Sequence, residues 1–228
     1  APNPIGLPDM LFVRPTLVLV FDRLSDRLYF VAPVWPEGGS PDALIARALE
    51  RIDAAQARLA QRLPDAARNS TVPDMPDPTP VLPEGRYADM VMKAKAYIEA
   101  GDIFQVVLAQ RFSLPFTLPP VDLYRALRRL NPSPFLSFLD MPGFALIGSS
   151  PEILVRVRDG EVTIRPIAGT RPRGKTAMED AENRDSLLAD PKERAEHLML
   201  LDLGRNDVGR VTEGGSVTVT DSYMVEFY

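Results

Sequence analysis

Glu193 and Glu196 stand three residues apart in a stretch whose apolar residues recur with helical spacing. That separation puts both side chains on one helix face. Two carboxylates about 5 Å apart repel by roughly 3 kcal/mol at an effective dielectric of 20. A cation between or above them removes that cost. Magnesium prefers carboxylate oxygens and keeps several waters, so one or two glutamates on a helix can form half of its site. The competing reading is a solvated helix face, with Lys192 and Arg194 compensating the charge. The run Leu198-Met199-Leu200-Leu201 packs the helix against a core and sets its amino end near a pocket rim.

Three other features offer chemistry. Glu152 follows Ser149-Ser150-Pro151 at the mouth of an expected strand, beside Ile147 and Ile153. A carboxyl shielded by apolar neighbours can act as a general acid; the alternative is a solvent-facing glutamate. Gly169-Thr170 closes the apolar run Ile164 to Ala168. Backbone N–H groups and a hydroxyl at such a turn can hold a carboxylate, and Arg171, Arg173 and Lys175 add cations. A Gly-Thr turn before a solvated basic loop is the other reading. His197, the one histidine, reads as a structural or indirect hydrogen-bonding residue. Neither a phosphate-binding P-loop nor a dinucleotide-binding glycine motif occurs.

Several elements must position these residues. The segments 16–22 and 27–35 read as strands around the turn Arg23 to Asp26, and 40–63 as a helix with Ser40 as N-cap and Pro41 in its first turn. Residues 64–85 form a Pro- and Asp-rich connector, and 86–101 a second helix ending at Gly101. A strand is expected at 103–109, a helix at 120–130, and strands at 135–140, 144–148, 152–158 and 161–167. Asp159-Gly160 would turn the last pair. The glutamate helix covers 190–204, and a strand 216–220 follows. Hairpins without βαβ alternation predict an α+β fold with largely antiparallel sheets. The pattern divides the chain into 1–63, a connector at 64–85, and 86–228.

Composition narrows the function. With 45% hydrophobic and 25% charged residues the chain is an ordinary globular one. A net charge of -5 argues against nucleic acid as a partner. No apolar run is long enough for a membrane-spanning helix. The absence of cysteine excludes disulfides, thiol nucleophiles and zinc-thiolate sites, and fits a reducing cytoplasm. The opening APNPIGLPD has no leader-like pattern, and it begins on Ala1, as a trimmed piece of a longer chain would.

The motifs IGLPDM, GDIFQVVLAQRF, LNPSPF, SSPE, PIAGTRPRG and ERAEHLMLLDLGRNDVGR occur in this order. Their order and content resemble the chorismate-utilising enzymes, above all the anthranilate synthase large-subunit branch. The resemblance implies chorismate as substrate and Mg2+ as cofactor. It implies that Glu152 helps the ring hydroxyl leave, that Glu196 binds magnesium directly and Glu193 through water, and that Gly169 and Thr170 contact the substrate's carboxylate end. It also implies that Pro134, Phe135 and Leu136 form one wall of a tryptophan feedback pocket, although many members have tyrosine where this chain has Phe135.

Two positions separate the branches. Where Gln105 stands, the isochorismate and salicylate branch has a lysine that activates water; glutamine cannot serve as that base. Where Ala168 stands, the aminodeoxychorismate branch has a lysine; alanine leaves room for ammonia. The implied reaction is ammonia addition with loss of the ring hydroxyl, then pyruvate elimination to anthranilate. Ammonia would come from a glutamine amidotransferase partner. The alternatives are aminodeoxychorismate synthesis and a non-catalytic module that binds tryptophan or the amidotransferase subunit. Family chains extend further at both ends, and the later segments carry a histidine, a carboxylate-gripping arginine and a second glutamate pair. The resemblance therefore implies a piece inactive by itself, with exposed edges prone to self-association.

Overall fold

Side-chain caps set the starts of three helices among the described residues, at Ser40, Thr176 and Asp190. The computed structural model describes residues 3–63 and 74–227. The chain falls into two compact units, Ala1–Thr71 and Val72–Tyr228. Of the connector expected at 64–85, residues 64–73 lie outside the described residues.

In the first unit, β1 (Val18–Asp22) pairs antiparallel with β2 (Arg27–Val31), from Val18 opposite Val31 to Asp22 opposite Arg27. Asp22 closes the turn: its carboxylate accepts the Leu24 and Ser25 N–H groups at 3.0 and 3.2 Å and the Ser25 hydroxyl at 2.6 Å. The Ser25 hydroxyl is the main reason that its pKa lies below the usual value. β2 stops short of residue 35; Pro33 and Pro36 lack the N–H that a ladder needs. Helix α1 (Pro41–Leu59) starts as expected, with the Ser40 hydroxyl accepting the Ala43 N–H at 3.4 Å. Ala48, on its apolar stripe, is buried.

The second unit carries the candidate chemistry. A two-residue ladder joins β3 (Thr79–Pro80) to β4 (Phe112–Ser113). Helix α2 (Arg86–Glu99) lies between them in sequence and ends in a Schellman arrangement. Gly101 has φ +78°, and the Asp102 N–H returns to the Tyr97 carbonyl at 3.0 Å. Helix α3 (Pro120–Leu130) packs on the hairpin of β5 (Phe135–Met141) and β6 (Phe144–Ser150), where the rings of Tyr124 and Phe138 lie 5.7 Å apart. β7 (Arg156–Arg158) and β8 (Glu161–Thr163) flank the Asp159-Gly160 turn. Both turn residues have positive φ, +52° and +81°, as a tight type I′ connection requires. Helices α4 (Ala177–Ala189) and α5 (Pro191–Gly209) follow and pack together.

Among the described residues there are four sheets, each two-stranded and antiparallel, so the α+β reading with antiparallel sheets holds. Four strand expectations are corrected. Residues 103–109 and 216–220 are irregular, β7 begins at 156 rather than 152, and β8 ends at 163 rather than 167. These apolar stretches have no ladder partner among the described residues, and without one an extended segment is not a strand. Helix α4 was not anticipated, and α5 runs five residues beyond the expected 204. Among the described residues only Ala48, Ala94 and Gly204 are buried. Large apolar side chains such as Phe104 and Leu154 are more than 90% exposed.

Candidate active site

The stretch from Val162 to Arg173 is the spine of the site. It lines a cleft of about 1060 Å3 whose other walls are α4, α5 and the segment 211–227. Part of the same spine also lines a second cleft of about 630 Å3, which contains Glu152. Gly204 sits where α5 meets the spine. A Cβ there would lie 2.3 Å from the Ile164 Cδ1, so glycine is what allows this close approach.

Gly169 turns the spine with φ +73°, a left-handed conformation that other residues adopt at a cost. Its bare Cα faces α5: a Cβ would stand 2.9 Å from Glu193 Oε2 and 3.0 Å from Leu187 Cδ1. Among the described residues, no hydrogen bond occupies the N–H groups of Gly169 and Thr170 or the Thr170 hydroxyl. Two open donors and a hydroxyl at one turn can receive a carboxylate. Ala168 and Gly169 are half-buried and Thr170 is exposed.

The basic loop is held from α4. The Thr176 hydroxyl caps α4 by accepting the Glu179 N–H at 3.2 Å, and Glu179 reaches back to the Lys175 N–H. Asp180 accepts the Arg173 guanidinium at 2.6 Å and the Gly174 N–H at 2.6 Å. These bonds, Arg173 first, lower the Asp180 pKa from 3.8 to about 2. Asn183 donates to the Pro172 carbonyl at 3.0 Å. Sequence reasoning missed Thr176, Glu179, Asp180 and Asn183; the Thr-x-x-Glu capping pattern at 176–179 is the signal that finds this helix start.

Helix α5 begins at Asp190-Pro191. The Asp190 carboxylate accepts the Lys192 N–H at 2.9 Å and the Glu193 N–H at 3.4 Å. These bonds, chiefly the one from Glu193, hold the Asp190 pKa below 3.8. Glu193 is half-buried and pairs with Arg171 at 3.2 Å, while Glu196 is half-buried and has no hydrogen bond or ion pair among the described residues. Hard carboxylate oxygens, one of them unpartnered, suit magnesium as part of a ligand set. No group of three or more acidic or histidine side chains that could hold a metal ion gathers among the described residues.

Glu152 lies in the link between β6 and β7. Its carboxylate accepts the Ile167 N–H at 3.4 Å, beside Ala168. The side chain is exposed, so the apolar shielding expected from Ile147 and Ile153 is not supplied by the described residues. His197 lines the larger cleft, where its Nε2 accepts the Tyr223 N–H at 3.2 Å and its ring lies 4.8 Å from that of Tyr223. This is the structural bonding anticipated for it. The structure thus gathers Glu152, Ala168, Gly169, Thr170 and Glu193 along one spine, with Glu196 one turn further along α5. Gln105 is exposed in the irregular stretch before β4 and joins none of these residues. Pro134, Phe135 and Leu136 open β5, with Phe135 opposite Ser150 and Leu136 opposite Ser149. The Ser149 hydroxyl donates to the Asn131 carbonyl at 2.7 Å and lies 2.8 Å from the Ser133 hydroxyl, so this turn is tied to the strand that leads to Glu152.

Residues 1–228 match the family model of chorismate binding enzymes. The chain belongs to the chorismate-binding enzyme family. It is 50% identical over 229 residues to anthranilate synthase component 1 of Cereibacter sphaeroides, covering all of this chain and 46% of that protein. It is 46% identical to the same component of Thermus thermophilus, covering 47% of that protein. The crystal structure of anthranilate synthase component I from Streptococcus pneumoniae superposes with a TM-score of 0.78 at 37% identity, over 92% of this chain and 45% of that one. The chain spans about half the length of the relatives it matches. Among the described residues, no helix is long and apolar enough to cross a membrane.

Proposed function

We propose that this chain is part of an anthranilate synthase large subunit and supplies one side of its chorismate site. The observation that carries the reading is the Gly169-Thr170 turn, with unoccupied donors, packed against Glu193 and joined through Ile167 to Glu152. The open donors receive the substrate carboxylate. Glu152 gives a proton to the ring hydroxyl, which leaves as water while ammonia forms a C–N bond to the ring. The ring then loses the proton from the carbon bearing nitrogen, a proton is delivered to the enol-pyruvyl methylene carbon and the ring C–O bond breaks, which releases pyruvate and leaves anthranilate. Glu196, and Glu193 through water, would hold magnesium, which would supply positive charge to screen the substrate carboxylate.

Ala168 favours ammonia over a covalent route because it offers no amine. Gln105 carries no base to activate water, which disfavours hydration of the ring. Ammonia arrives free or from a glutamine amidotransferase partner. Pro134, Phe135 and Leu136 offer an apolar wall for tryptophan, and the Ser149 bonds connect that wall to the Glu152 link.

The test uses the protein at the length of its relatives. Glu152→Gln lowers kcat at least 100-fold and leaves chorismate affinity within a few-fold. Glu196→Gln raises the Mg2+ concentration needed for half-maximal rate. Unchanged kcat in the first, or unchanged Mg2+ demand in the second, refutes the role given to that residue.

A further inference from the structure

We propose that Arg171 is a positioning residue whose guanidinium clamps the amino end of α5 to the Gly169-Thr170 turn and so fixes the Glu193 carboxylate beside the turn's open donors. The inference rests on the active-site reading above. Three contacts define the clamp. Arg171 Nη1 donates to the Thr170 carbonyl at 2.9 Å and to Glu193 Oε1 at 3.2 Å. Its Nη2 donates to Asp190 Oδ2 at 2.9 Å. The three side chains are only 19–31% exposed, so the pairs are less screened than surface ones. Asp190 is engaged twice, because its other oxygen caps α5. Any displacement of Arg171 therefore passes into the first turn of the helix that carries Glu193 and Glu196. On the opposite side, Gly169 leaves 2.9 Å between its missing Cβ and Glu193 Oε2. Glu193 is thus held between a guanidinium and a bare Cα. A planar fork reaches both carboxylates at once, which the compact ammonium of lysine does not reproduce.

The protein at the length of its relatives is prepared with Arg171→Ala, Arg171→Lys, Glu193→Gln and the Arg171→Ala/Glu193→Gln pair. Mg2+ binding is read by calorimetry and stability by thermal melting. Arg171→Ala weakens Mg2+ binding about 10-fold or more, the usual cost of losing a group that orients a ligand. Arg171→Lys recovers only part of that loss. The Tm loss of the pair falls short of the sum of the single losses, because both variants remove the same contact. A wild-type protein that binds no Mg2+ while the melting losses stay non-additive refutes the metal assignment above and supports the clamp. Additive Tm losses overturn the clamp. So does an Arg171→Ala variant that binds Mg2+ as tightly as the wild type or more tightly, since the guanidinium would then only compete with the metal.

Discussion

Replacing Gly169 with alanine tests the turn and its fit against α5 together. At φ +73° an added Cβ costs about 1–2 kcal/mol of backbone strain. The new methyl would sit 2.9 Å from Glu193 Oε2 and 3.0 Å from Leu187 Cδ1, so both side chains must withdraw by about half an ångström. Overpacking of this kind costs about 1–3 kcal/mol. Alanine also restricts the unfolded chain, which returns about 0.4–1 kcal/mol. The net loss is about 3 kcal/mol, a fall in Tm of roughly 6–12 °C for a cooperative unit the size of Val72–Tyr228. Gly160→Ala is the control: φ is +81° there, but nothing lies within 4 Å of its Cβ. It carries strain without contact and loses about 1 kcal/mol. Thermal melting of the two variants separates the contributions, and chorismate titration of Gly169→Ala shows weakened binding. Equal losses for the two variants, with chorismate affinity intact in Gly169→Ala, would refute the claim that the turn is fitted against Glu193.

Further outcomes follow from the same geometry. The Asp180 pKa is depressed to about 2, so its contribution is fully present above pH 3.8 and lost as pH falls towards 2. Urea midpoints between pH 2 and 5 show a shallower pH dependence in Asp180→Asn; an unchanged slope contradicts the Arg173 pairing. Gly204→Ala gains about 1 kcal/mol of helix propensity and loses about 1–3 to the contact at Ile164. Adding Ile164→Val removes the clashing Cδ1, so the double variant is more stable than Gly204→Ala; a further loss would sink this packing account. The 228-residue chain alone self-associates, because its apolar segments lack strand partners among the described residues. A monodisperse compact monomer in light scattering would overturn that expectation.

The elements that were legible in the sequence are those with local chemistry. Ser40-Pro41 starts α1, Gly101 ends α2, and Asp159-Gly160 makes a tight hairpin, each through contacts within a few residues. Helix α4 escaped because its residues show little apolar periodicity, although the Thr176–Glu179 capping pair marked its start. The apolar runs at 103–109 and 164–167 read as strands. Such a run shows fitness for burial, not the presence of a partner strand. The glutamate pair was legible as a pair, but its protein counter-charge was not, and the alternative of compensation by Lys192 and Arg194 is not what the fold supplies. Adjacent residues on a helix do not face each other. Arg194 instead donates to the Leu188 carbonyl and covers the Tyr223 ring, while Arg171, 22 residues upstream of Glu193, makes the ion pair. Only the fold brings that arginine into reach.

The central claim is that this chain holds one side of an ammonia-dependent chorismate site. The most direct measurement is product identification from chorismate, ammonium and Mg2+ with the protein at the length of its relatives. Fluorescence and mass should identify anthranilate and pyruvate in equal amounts, with no product when Mg2+ is chelated. Accumulation of aminodeoxychorismate or isochorismate instead, or full activity in the presence of chelator, would contradict the account.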